Sequence, residues 1–557
     1  MKQLRILETR SKQNTASLVL VAVLLFSASA TTLHAQKYTD LYDLGSNTGD
    51  PANPAWIGLF AQGRDGNLYS TSQAGGTSAF GAAFQLTLAG KITPWSFDGK
   101  GNDGVYPYSG LTLGTDGNFY GTTYNGGSSN AGIVFKVTSS GKITTLFSFG
   151  GFNCCAYAAP IEGLDGNFYG TTSDGGGEVF GTVYKMTPSG KLTEIYTFPG
   201  ASKLAYPMAL TLGNDGNFYG TALGGGASRF GGVFRITPGG KLTVLYNFKG
   251  TPDGETPKGS IIQASDGNFY GTTAAGGANG FGSIYKMTPA GKLTILRSFS
   301  ETDGLGLHPL AGLIQATDGK FYGAAGSNTS SGVLFQITSI GKYKVLLNLT
   351  NTTGKYPGAN PQVSLFQHTN GTLYGDTDGG GTGKLCFCGV LYSLGMKLGP
   401  FVSFVGPLFE GKVGKTIEIL GQGLTGTSNV SFHGVSATFA VVSDTYLTAV
   451  VPAGATTGSV IVTTPGGKLT SNKIFRVTPV ILSFSPTSGS AGTKVMINGS
   501  SFTGATKVTF GGVKATAFSV DSDTQITATV PTGAKTGKIA ITTSGGTAVS
   551  KNIFTVQ

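Results

Sequence analysis

Few side chains in this 557-residue sequence have the types and spacing of a reaction centre. Only four histidines occur, and no two of them are close in the sequence. The sequence contains no HExxH motif, no GxSxG motif and no phosphate-binding glycine loop, which would indicate metalloprotease, serine hydrolase or nucleotide chemistry. A Ser/His/Asp triad can assemble from distant residues, but nothing here points to one. We therefore expect no enzyme activity, no metal ion and no cofactor.

The four cysteines form two close couples. Cys154 and Cys155 are adjacent, and one residue separates Cys386 from Cys388. We interpret them as local disulfides or free thiols, although a disulfide between adjacent residues is strained. Four cysteines allow three connectivities, and the sequence does not choose among them. A Cys₄ metal site would require two distant loops to meet, and an oxidising destination disfavours it.

Aromatic side chains provide the binding candidates. Five rings fall at or beside the proline that opens a sequence repeat, namely Trp56, Tyr106, Tyr206, His308 and Tyr356. Rings in such positions can stack on sugars or on peptide side chains. The alternative is that they pack between neighbouring repeats.

A repeat of about 50 residues must position these candidates. Its motif, Asp-Gly-Asn-(Phe/Leu)-Tyr, begins at Asp65, Asp116, Asp165, Asp215 and Asp266, with related copies at Asp318 and Asn370. The spacings of 49 to 52 residues are typical of one propeller blade. A calcium loop needs several oxygen ligands, whereas each repeat offers one aspartate. We interpret the motif as a structural turn.

Each repeat predicts four short strands, which in the fifth copy are 260–265, 268–273, 282–288 and 292–299. Asp-Gly predicts a two-residue type I′ turn, which needs positive φ at both positions. In an up-and-down blade the two tight turns lie on one face, here called the tight-turn face. The longer loops, including those that carry the cysteines and the aromatic candidates, lie on the opposite, long-loop face.

The two ends of the repeat region predict a closed ring. The seventh repeat stops after its third strand, at 390–394, while residues 37–44 have the pattern of an unpaired fourth strand. Such a strand can complete the last blade and leave only short, protected edges. The sequence therefore predicts a seven-bladed β-propeller over residues 36–398, closed by its N-terminal strand.

These units resemble the tandem repeats called GloVer, found in exported bacterial proteins with varied C-terminal anchoring regions. The resemblance covers about 37–397 and rests on the DGNFYGTT, GKLTxLYxF and DGxxP segments. It implies the architecture and export of the protein, and it implies no activity.

Two copies of a different unit follow, at 399–478 and 479–557. Residues 414–421 match 492–499, and residues 447–452 match 526–531. Alternating strands over about 80 residues predict an immunoglobulin-like β-sandwich for each copy. Both resemble IPT/TIG domains, although the first lacks the Ser-Pro-x-x-Gly turn that opens the second. The resemblance implies a spacer or adhesion role.

The N-terminus predicts export. Basic residues precede an apolar run at 16–26 and a stretch of small residues that ends near Ala35, which is the order of a secretory signal peptide. An uncleaved membrane anchor is the alternative. Removal of residues 1–35 lowers the net charge from +11 to +8, and the remaining charges are scattered. We therefore expect no nucleic-acid partner and, after cleavage, no integral membrane segment.

The function hypothesis is a non-catalytic, exported interaction protein, located outside the cell or at its surface, with the periplasm as a further location. Its propeller would bind a glycan or a protein, and its sandwiches would act as spacers or attachment modules. One alternative is an exported propeller lyase or hydrolase that acts on polysaccharide. A purely structural envelope protein is a third interpretation.

Overall fold

The computed structural model describes residues 36–54, 60–150, 154–175, 180–200, 203–302, 304–327, 330–362, 364–407 and 409–557. The predicted signal peptide and Trp56 lie outside these residues. Every regular element in the described part is a β-strand. In the same residues, no helix is long and apolar enough to cross a bilayer. The predicted all-β class is confirmed.

Seven antiparallel sheets follow one another along residues 37–395 of the described chain. The first strand, β1 (Lys37–Asp43), belongs to the last of these sheets. Sheet 1 contains β2 (Pro51–Pro54), β3 (Ala61–Gln62), β4 (Leu68–Gly75), β5 (Ala82–Leu86) and β6 (Ile92–Ser96). Sheet 2 contains β8 (Thr112–Leu113), β9 (Phe119–Thr122), β11 (Ile133–Val137) and β12 (Ile143–Ser148), beside the short pair β7 (Gly104–Val105) and β10 (Asn125–Gly126).

The next three sheets each contain four strands in chain order. Sheet 3 contains β13 (Ile161–Glu162), β14 (Phe168–Thr172), β15 (Thr182–Met186) and β16 (Leu192–Thr197). Sheet 4 contains β17 (Leu204–Leu212), β18 (Phe218–Gly225), β19 (Gly232–Ile236) and β20 (Leu242–Asn247). Sheet 5 contains β21 (Ile262–Gln263), β22 (Phe269–Thr273), β23 (Ser283–Met287) and β24 (Leu293–Ser298).

The last two sheets bring the chain back to its start. Sheet 6 contains β25 (Ile314–Gln315), β26 (Phe321–Ala325), β27 (Val333–Ile337) and β28 (Tyr343–Asn348). Sheet 7 contains β29 (Phe366–Gln367), β30 (Leu373–Asp376) and β31 (Val390–Gly395). Its fourth strand is β1, which pairs with β31 as the sequence predicted. Gln62 of sheet 1 and Thr369 of sheet 7 exchange two hydrogen bonds of 2.8 and 3.0 Å, which joins the two ends of the ring.

The Phe-Tyr dipeptide of the repeat packs each sheet against the next. Successive side chains of a strand point to opposite faces, so each sheet presents its tyrosine on one side and its phenylalanine on the other. Tyr120 of sheet 2 stacks on Phe168 of sheet 3 at 3.8 Å between ring centroids, and Tyr169 contacts Phe218 of sheet 4 at 4.1 Å. Strands of this type are buried on both faces, which is why they lack polar alternation.

The Asp-Gly turn differs from the predicted type I′ turn. In sheet 1, Gly66 N–H donates to the carbonyl of Gly63, and Gly63 N–H donates to Asn67. Gly66 has φ +77°, whereas Asp65 is not left-handed. This is a three-residue hairpin, a type I turn followed by a left-handed glycine. The prediction of a two-residue turn was wrong, because the Asp65 carboxylate accepts Asn67 N–H at 3.1 Å and stabilises the longer loop.

The C-terminal region forms two β-sandwiches, each with its own apolar core. The strands of the first are β32 (Ser403–Phe404), β33 (Glu410–Gly411), β34 (Thr416–Leu420), β35 (Asn429–Phe432), β36 (Val435–Ser436), β37 (Phe439–Ser443), β38 (Tyr446–Val450), β39 (Val460–Thr464), β40 (Gly467–Thr470) and β41 (Arg476–Val477). Those of the second are β42 (Val480–Ser485), β43 (Ser488–Gly489), β44 (Lys494–Ser500), β45 (Lys507–Phe510), β46 (Val513–Lys514), β47 (Phe518–Ser522), β48 (Gln525–Thr529), β49 (Gly537–Thr543) and β50 (Gly546–Val556).

The first sandwich packs against the tight-turn face of the ring. Arg64 of sheet 1 forms an ion pair of 2.5 Å with Glu418, and its carbonyl accepts a hydrogen bond of 2.6 Å from the Thr445 hydroxyl. Around this pair, side chains of β34 and β38 join the apolar core of sheets 1 and 2. In the neighbouring sheet 7, Phe401 N–H donates to the carbonyl of Thr369. The contacts of the first sandwich are thus on the tight-turn face, and the long-loop face is the candidate binding face.

Candidate binding face

A ring of left-handed residues runs around the long-loop face. One residue in each repeat, close to the point where the chain enters the inner strand, has φ between 48° and 67°. Non-glycine residues adopt this conformation rarely and at an energetic cost. In sheet 2 the conformation is held by two hydrogen bonds, from Tyr106 N–H to Phe80 and from Tyr124 N–H to the Tyr106 carbonyl. The seven residues are Asn53, Tyr106, Cys155, Tyr206, Thr256, His308 and Asn360.

Three of the five predicted aromatic residues belong to this ring. Tyr106 and Tyr206 are 38% and 36% exposed, and His308 is also exposed. The aromatic ring of each of these three residues contacts a phenylalanine of the preceding sheet edge-on, and the Tyr206 to Phe180 centroid distance is 5.9 Å. These side chains are thus anchored at one edge by packing between sheets, and they retain a face toward solvent.

The other two predicted residues have different positions. Tyr356 packs edge-on against Tyr38 of β1 at 5.6 Å, and the corresponding ring residue of its repeat is Asn360. Trp56 lies outside the described residues, and Asn53 holds the ring position of the first repeat. Adjacency to the opening proline is a loose criterion, because it does not identify the left-handed residue itself.

A tyrosine cluster between sheets 2 and 3 was missed by sequence reasoning. Tyr108 lies 4.9 Å from Tyr124 and 6.0 Å from Tyr157, measured between ring centroids. All three rings are half-buried. Tyr108 and Tyr157 each lie two positions after the left-handed residue of their repeat. An alignment of the repeats could therefore have shown that the two tyrosines occupy equivalent positions. Tyr124 comes from a different loop and gives no such signal.

The two cysteine couples both lie on the long-loop face, in different chemical states. Cys386 and Cys388 form a disulfide. It holds a loop from which Leu385 and Phe387 project, each 65% exposed. Cys154 and Cys155 are free thiols. The Tyr124 hydroxyl is hydrogen-bonded to the Cys155 sulfur, and this bond, together with burial, raises the pKa of Tyr124.

Polar groups gather where sheet 7 meets sheet 1. Gln73 and Gln362 each donate a hydrogen bond of 3.2 Å to the Asp378 carboxylate. Burial raises the pKa of Asp378, and it raises that of Asp376 more strongly. Asp376 Oδ1 has no hydrogen-bond partner in the described part of the chain. In sheet 5 the corresponding residue is Thr272, whose hydroxyl donates to Ala311 of the next sheet at 2.8 Å.

A cavity of about 140 Å³ inside the ring is lined by the inner strands of sheets 2 to 5 and by the loops that lead into sheets 6 and 7. The lining consists of glycine, small and aliphatic residues, with threonine, serine and Gln362 as its polar members. Gln362 connects this lining to the polar group around Asp378.

The remaining histidines and the repeated aspartates have structural contacts. His368 is buried beside Gly66, whose carbonyl lies 3.0 Å from its Nε2, and burial lowers its pKa. His433 is bonded to Thr456 on the first sandwich. In six repeats the motif aspartate accepts a hydrogen bond of 2.7 to 2.9 Å from the motif tyrosine four residues later. These carboxylates therefore stabilise the turn and the packing of the motif tyrosine.

Family comparisons agree with the two resemblances seen in the sequence. A family model described as the Gloeobacter/Verrucomicrobia repeat matches residues 25–176 and 156–392. A second, described as the IPT/TIG domain, matches residues 400–476 and 479–556. Both resemblances are thereby confirmed. No curated protein matches the chain.

Several solved structures are similar to parts of the chain at low sequence identity. TolB from Acinetobacter baumannii is 15% identical over 50% of this chain and 62% of its own, with a TM-score of 0.33. A surface glycan-binding protein from Prevotella bryantii is 20% identical over 28% of this chain and 41% of its own, with a TM-score of 0.22. A fungal alcohol oxidase of the AA5 family, in complex with copper, is 14% identical over 92% of this chain and 100% of its own, with a TM-score of 0.38.

Proposed function

We propose that this chain, which belongs to the Gloeobacter/Verrucomicrobia repeat family and contains two IPT/TIG domains, is a non-catalytic, exported protein. In this proposal it binds a glycan on its long-loop face. The observation that carries the proposal is the set of partly exposed aromatic rings on that face. Tyr106 and Tyr206 are fixed by backbone hydrogen bonds and by edge contacts with Phe80 and Phe180. Rings that are held in place can stack on a sugar with little loss of side-chain entropy.

The polar groups at the mouth complement these rings. Sugar recognition combines an apolar stacking surface with a few oriented hydrogen-bonding groups. Asp378, Gln73 and Gln362 form such a group at the junction of sheets 7 and 1. The first sandwich occupies the tight-turn face, which leaves the long-loop face open to a surface ligand. The sandwiches would then act as the spacer or attachment part of an exported or surface-located protein.

A glycan-array screen of the mature protein, residues 36–557, tests this proposal. We expect selective binding that weakens about 2- to 10-fold when Tyr106 or Tyr206 is replaced by alanine, because an aromatic contact contributes about 0.5–1.5 kcal/mol. Ile340→Ala is the control, since Ile340 is 87% exposed in a tight turn on the other face. Binding that is unaffected by the tyrosine substitutions would contradict the proposed face. No binding to any glycan would favour a protein partner or a structural role.

A second candidate function is an exported lyase or hydrolase that acts on polysaccharide. The observation that favours it is the pair of carboxyl groups in sheet 7, because the pKa values of Asp376 and Asp378 are both raised. A raised pKa keeps a carboxyl group protonated to higher pH, which favours a role as general acid. Release of new reducing ends or unsaturated sugars from polysaccharides, abolished by Asp378→Asn, would support this candidate. Turnover that Asp378→Asn leaves intact would exclude Asp378 as the acid.

A further inference from the structure

Cys154 and Cys155 bring two thiols together on the long-loop face. Their sulfur atoms are 2.6 Å apart, with Cys154 half-buried and Cys155 buried. Asp174 places a carboxylate oxygen within 4.8 Å of both sulfurs. The other cysteines of the chain, Cys386 and Cys388, are already joined. The protein therefore has one disulfide and one pair of free thiols on the same face.

The backbone explains why two consecutive side chains meet. In an extended strand, adjacent side chains point to opposite faces. Cys155 holds the left-handed ring position of the third repeat, with φ +67°, and this turn brings its side chain to the side of Cys154. The loop is fixed on both sides, because Cys154 N–H donates to Asp174 and Ser173 N–H donates to the Cys155 carbonyl. The fold itself holds the sulfurs together.

We propose that Cys154 and Cys155 form a reversible thiol–disulfide exchange site, whose reaction partners are disulfides and thiols in the medium around the exported protein. Adjacent Cα atoms are about 3.8 Å apart, which is below the roughly 4.4 Å at which ordinary disulfides begin. A bond between these two residues is therefore strained and readily reduced. The Cα atoms of Cys386 and Cys388 are 5.2 Å apart, within the usual range.

The exchange reaction balances with a disulfide as the two-electron oxidant. The Cys154 thiol loses its proton and attacks one sulfur of the oxidant, which releases a first thiolate and leaves a mixed disulfide on Cys154. The Cys155 thiol then loses its proton, attacks the Cys154 sulfur and releases a second thiolate. The two released thiolates take up the two protons, so the protein loses two hydrogens and the oxidant becomes two thiols. Asp174 provides a proton acceptor beside the pair.

The redox state of Cys154 and Cys155 would affect the tyrosine cluster. Tyr124 is hydrogen-bonded to the Cys155 sulfur, and its ring packs between Tyr108 and Tyr157. Oxidation removes the S–H donor of Cys155 and leaves a disulfide sulfur that can only accept a weak hydrogen bond. Removal of the Tyr124 hydroxyl should therefore shift the exchange equilibrium of the pair. The same change at Tyr108, whose ring packs on Tyr124 and Tyr157, should leave that equilibrium unchanged.

A redox titration of the mature protein tests the proposal. The protein is equilibrated in glutathione buffers of increasing oxidised fraction, alkylated, digested with trypsin and measured by mass spectrometry. The two couples lie in different tryptic peptides, because Lys185 and Lys384 lie between them. We expect two transitions, with the oxidation equilibrium of Cys154–Cys155 at least tenfold less favourable than that of Cys386–Cys388. We also expect Tyr124→Phe, and not Tyr108→Phe, to move the first transition.

Single-cysteine variants test the order of attack. Cys155→Ser should accumulate a mixed disulfide with glutathione on Cys154, whereas Cys154→Ser should leave the buried Cys155 unmodified. The proposal is overturned if Cys154 and Cys155 stay reduced wherever Cys386–Cys388 is oxidised, or if the two couples titrate together. It is also overturned if added Zn²⁺ protects both thiols from alkylation and from oxidation, because the couple would then be a metal site.

Discussion

The aspartate of each Asp-Gly-Asn-Phe-Tyr motif connects a surface turn to the buried core. In the fifth repeat, Asp266 accepts hydrogen bonds from Asn268 N–H and from the Tyr270 hydroxyl, and Lys286 forms an ion pair with it at 2.9 Å. Burial alone would raise the pKa of Asp266, but the bonds from Lys286, Asn268 and Tyr270 outweigh it and lower the pKa to about 2. Asp165 has the same contacts, and its pKa is also lowered to about 2. The repeat therefore places an acid-sensitive contact at the same point of sheets 3 and 5.

We expect the stability of the propeller to fall as the pH drops from about 4 to about 2. An aspartate with a lowered folded-state pKa stabilises the fold above its unfolded value near 3.9, and this contribution is lost as the pH falls through the folded value. Urea unfolding at several pH values measures the effect. The double variant Asp165→Asn, Asp266→Asn should be less stable than the wild type at pH 7 and should lose less stability on acidification.

Asparagine is a suitable replacement because the chain already uses it. Asn370 holds the motif position in the seventh repeat, where its side chain donates to the Tyr374 hydroxyl at 3.1 Å. Equal acid sensitivity of the variant and the wild type would show that these carboxylates do not carry the effect.

At the scale of the element, the second strand of each sheet transmits packing around the ring. Five seams, from sheets 1 and 2 to sheets 5 and 6, join a tyrosine to a phenylalanine at 3.8 to 4.1 Å. The other two seams use leucine, since Tyr322 packs with Leu373 and Tyr374 packs with Leu68. The ring tolerates either shape at this position, provided that the volume is filled.

Two substitutions of Phe218 separate volume from aromatic character. Phe218→Leu reproduces the leucine seams and should cost about 1 kcal/mol of unfolding free energy. Phe218→Ala leaves a cavity beside Tyr169 and should cost about 3–5 kcal/mol. Chemical denaturation monitored by tyrosine fluorescence measures both. Similar losses for the two variants would show that ring stacking, rather than filled volume, stabilises the seam.

The strands were predictable, whereas the details of the loops were not. Strands predicted at 282–288 and 292–299 are found at Ser283–Met287 and Leu293–Ser298, because periodicity and turn residues act locally. The tyrosine cluster was not predictable, since Tyr124 reaches Tyr157 only after two sheets have packed. The type I turn at Asp65 was missed because Asp-Gly is compatible with two loop lengths, and a side-chain hydrogen bond decides between them.

At the scale of the whole molecule, the first sandwich is part of the propeller's packing. Arg64 and Glu418 are 354 residues apart in sequence and form an ion pair, and the Arg64 guanidinium lies 5.0 Å from the centre of the Tyr446 ring. Leu420 and Tyr446 share a core with Tyr69 and the other apolar residues of sheets 1 and 2. No local pattern in the sequence indicates this contact, because one partner belongs to the propeller and the other to the first sandwich.

A double-mutant cycle on Arg64 and Glu418 measures the strength of this docking. Arg64→Ala and Glu418→Ala should each destabilise the docked arrangement by about 1–3 kcal/mol, since a charged hydrogen bond is lost in a partly buried site. The double variant should cost less than the sum of the two. Protease cleavage near residues 396–400, followed over time, reports the undocking. Additive losses would show that the two side chains do not interact.

The pairing of β1 with β31 also has a consequence in time. The strand made first, Lys37–Asp43, has to wait for its partner, Val390–Gly395, which is synthesised about 350 residues later. At roughly 5–20 residues per second, the ribosome needs on the order of 20 to 70 seconds to produce that partner. During this interval the first strand has an unpaired edge, and it lies directly behind the segment predicted to direct export. The ring therefore cannot close until nearly all of its strands have been made.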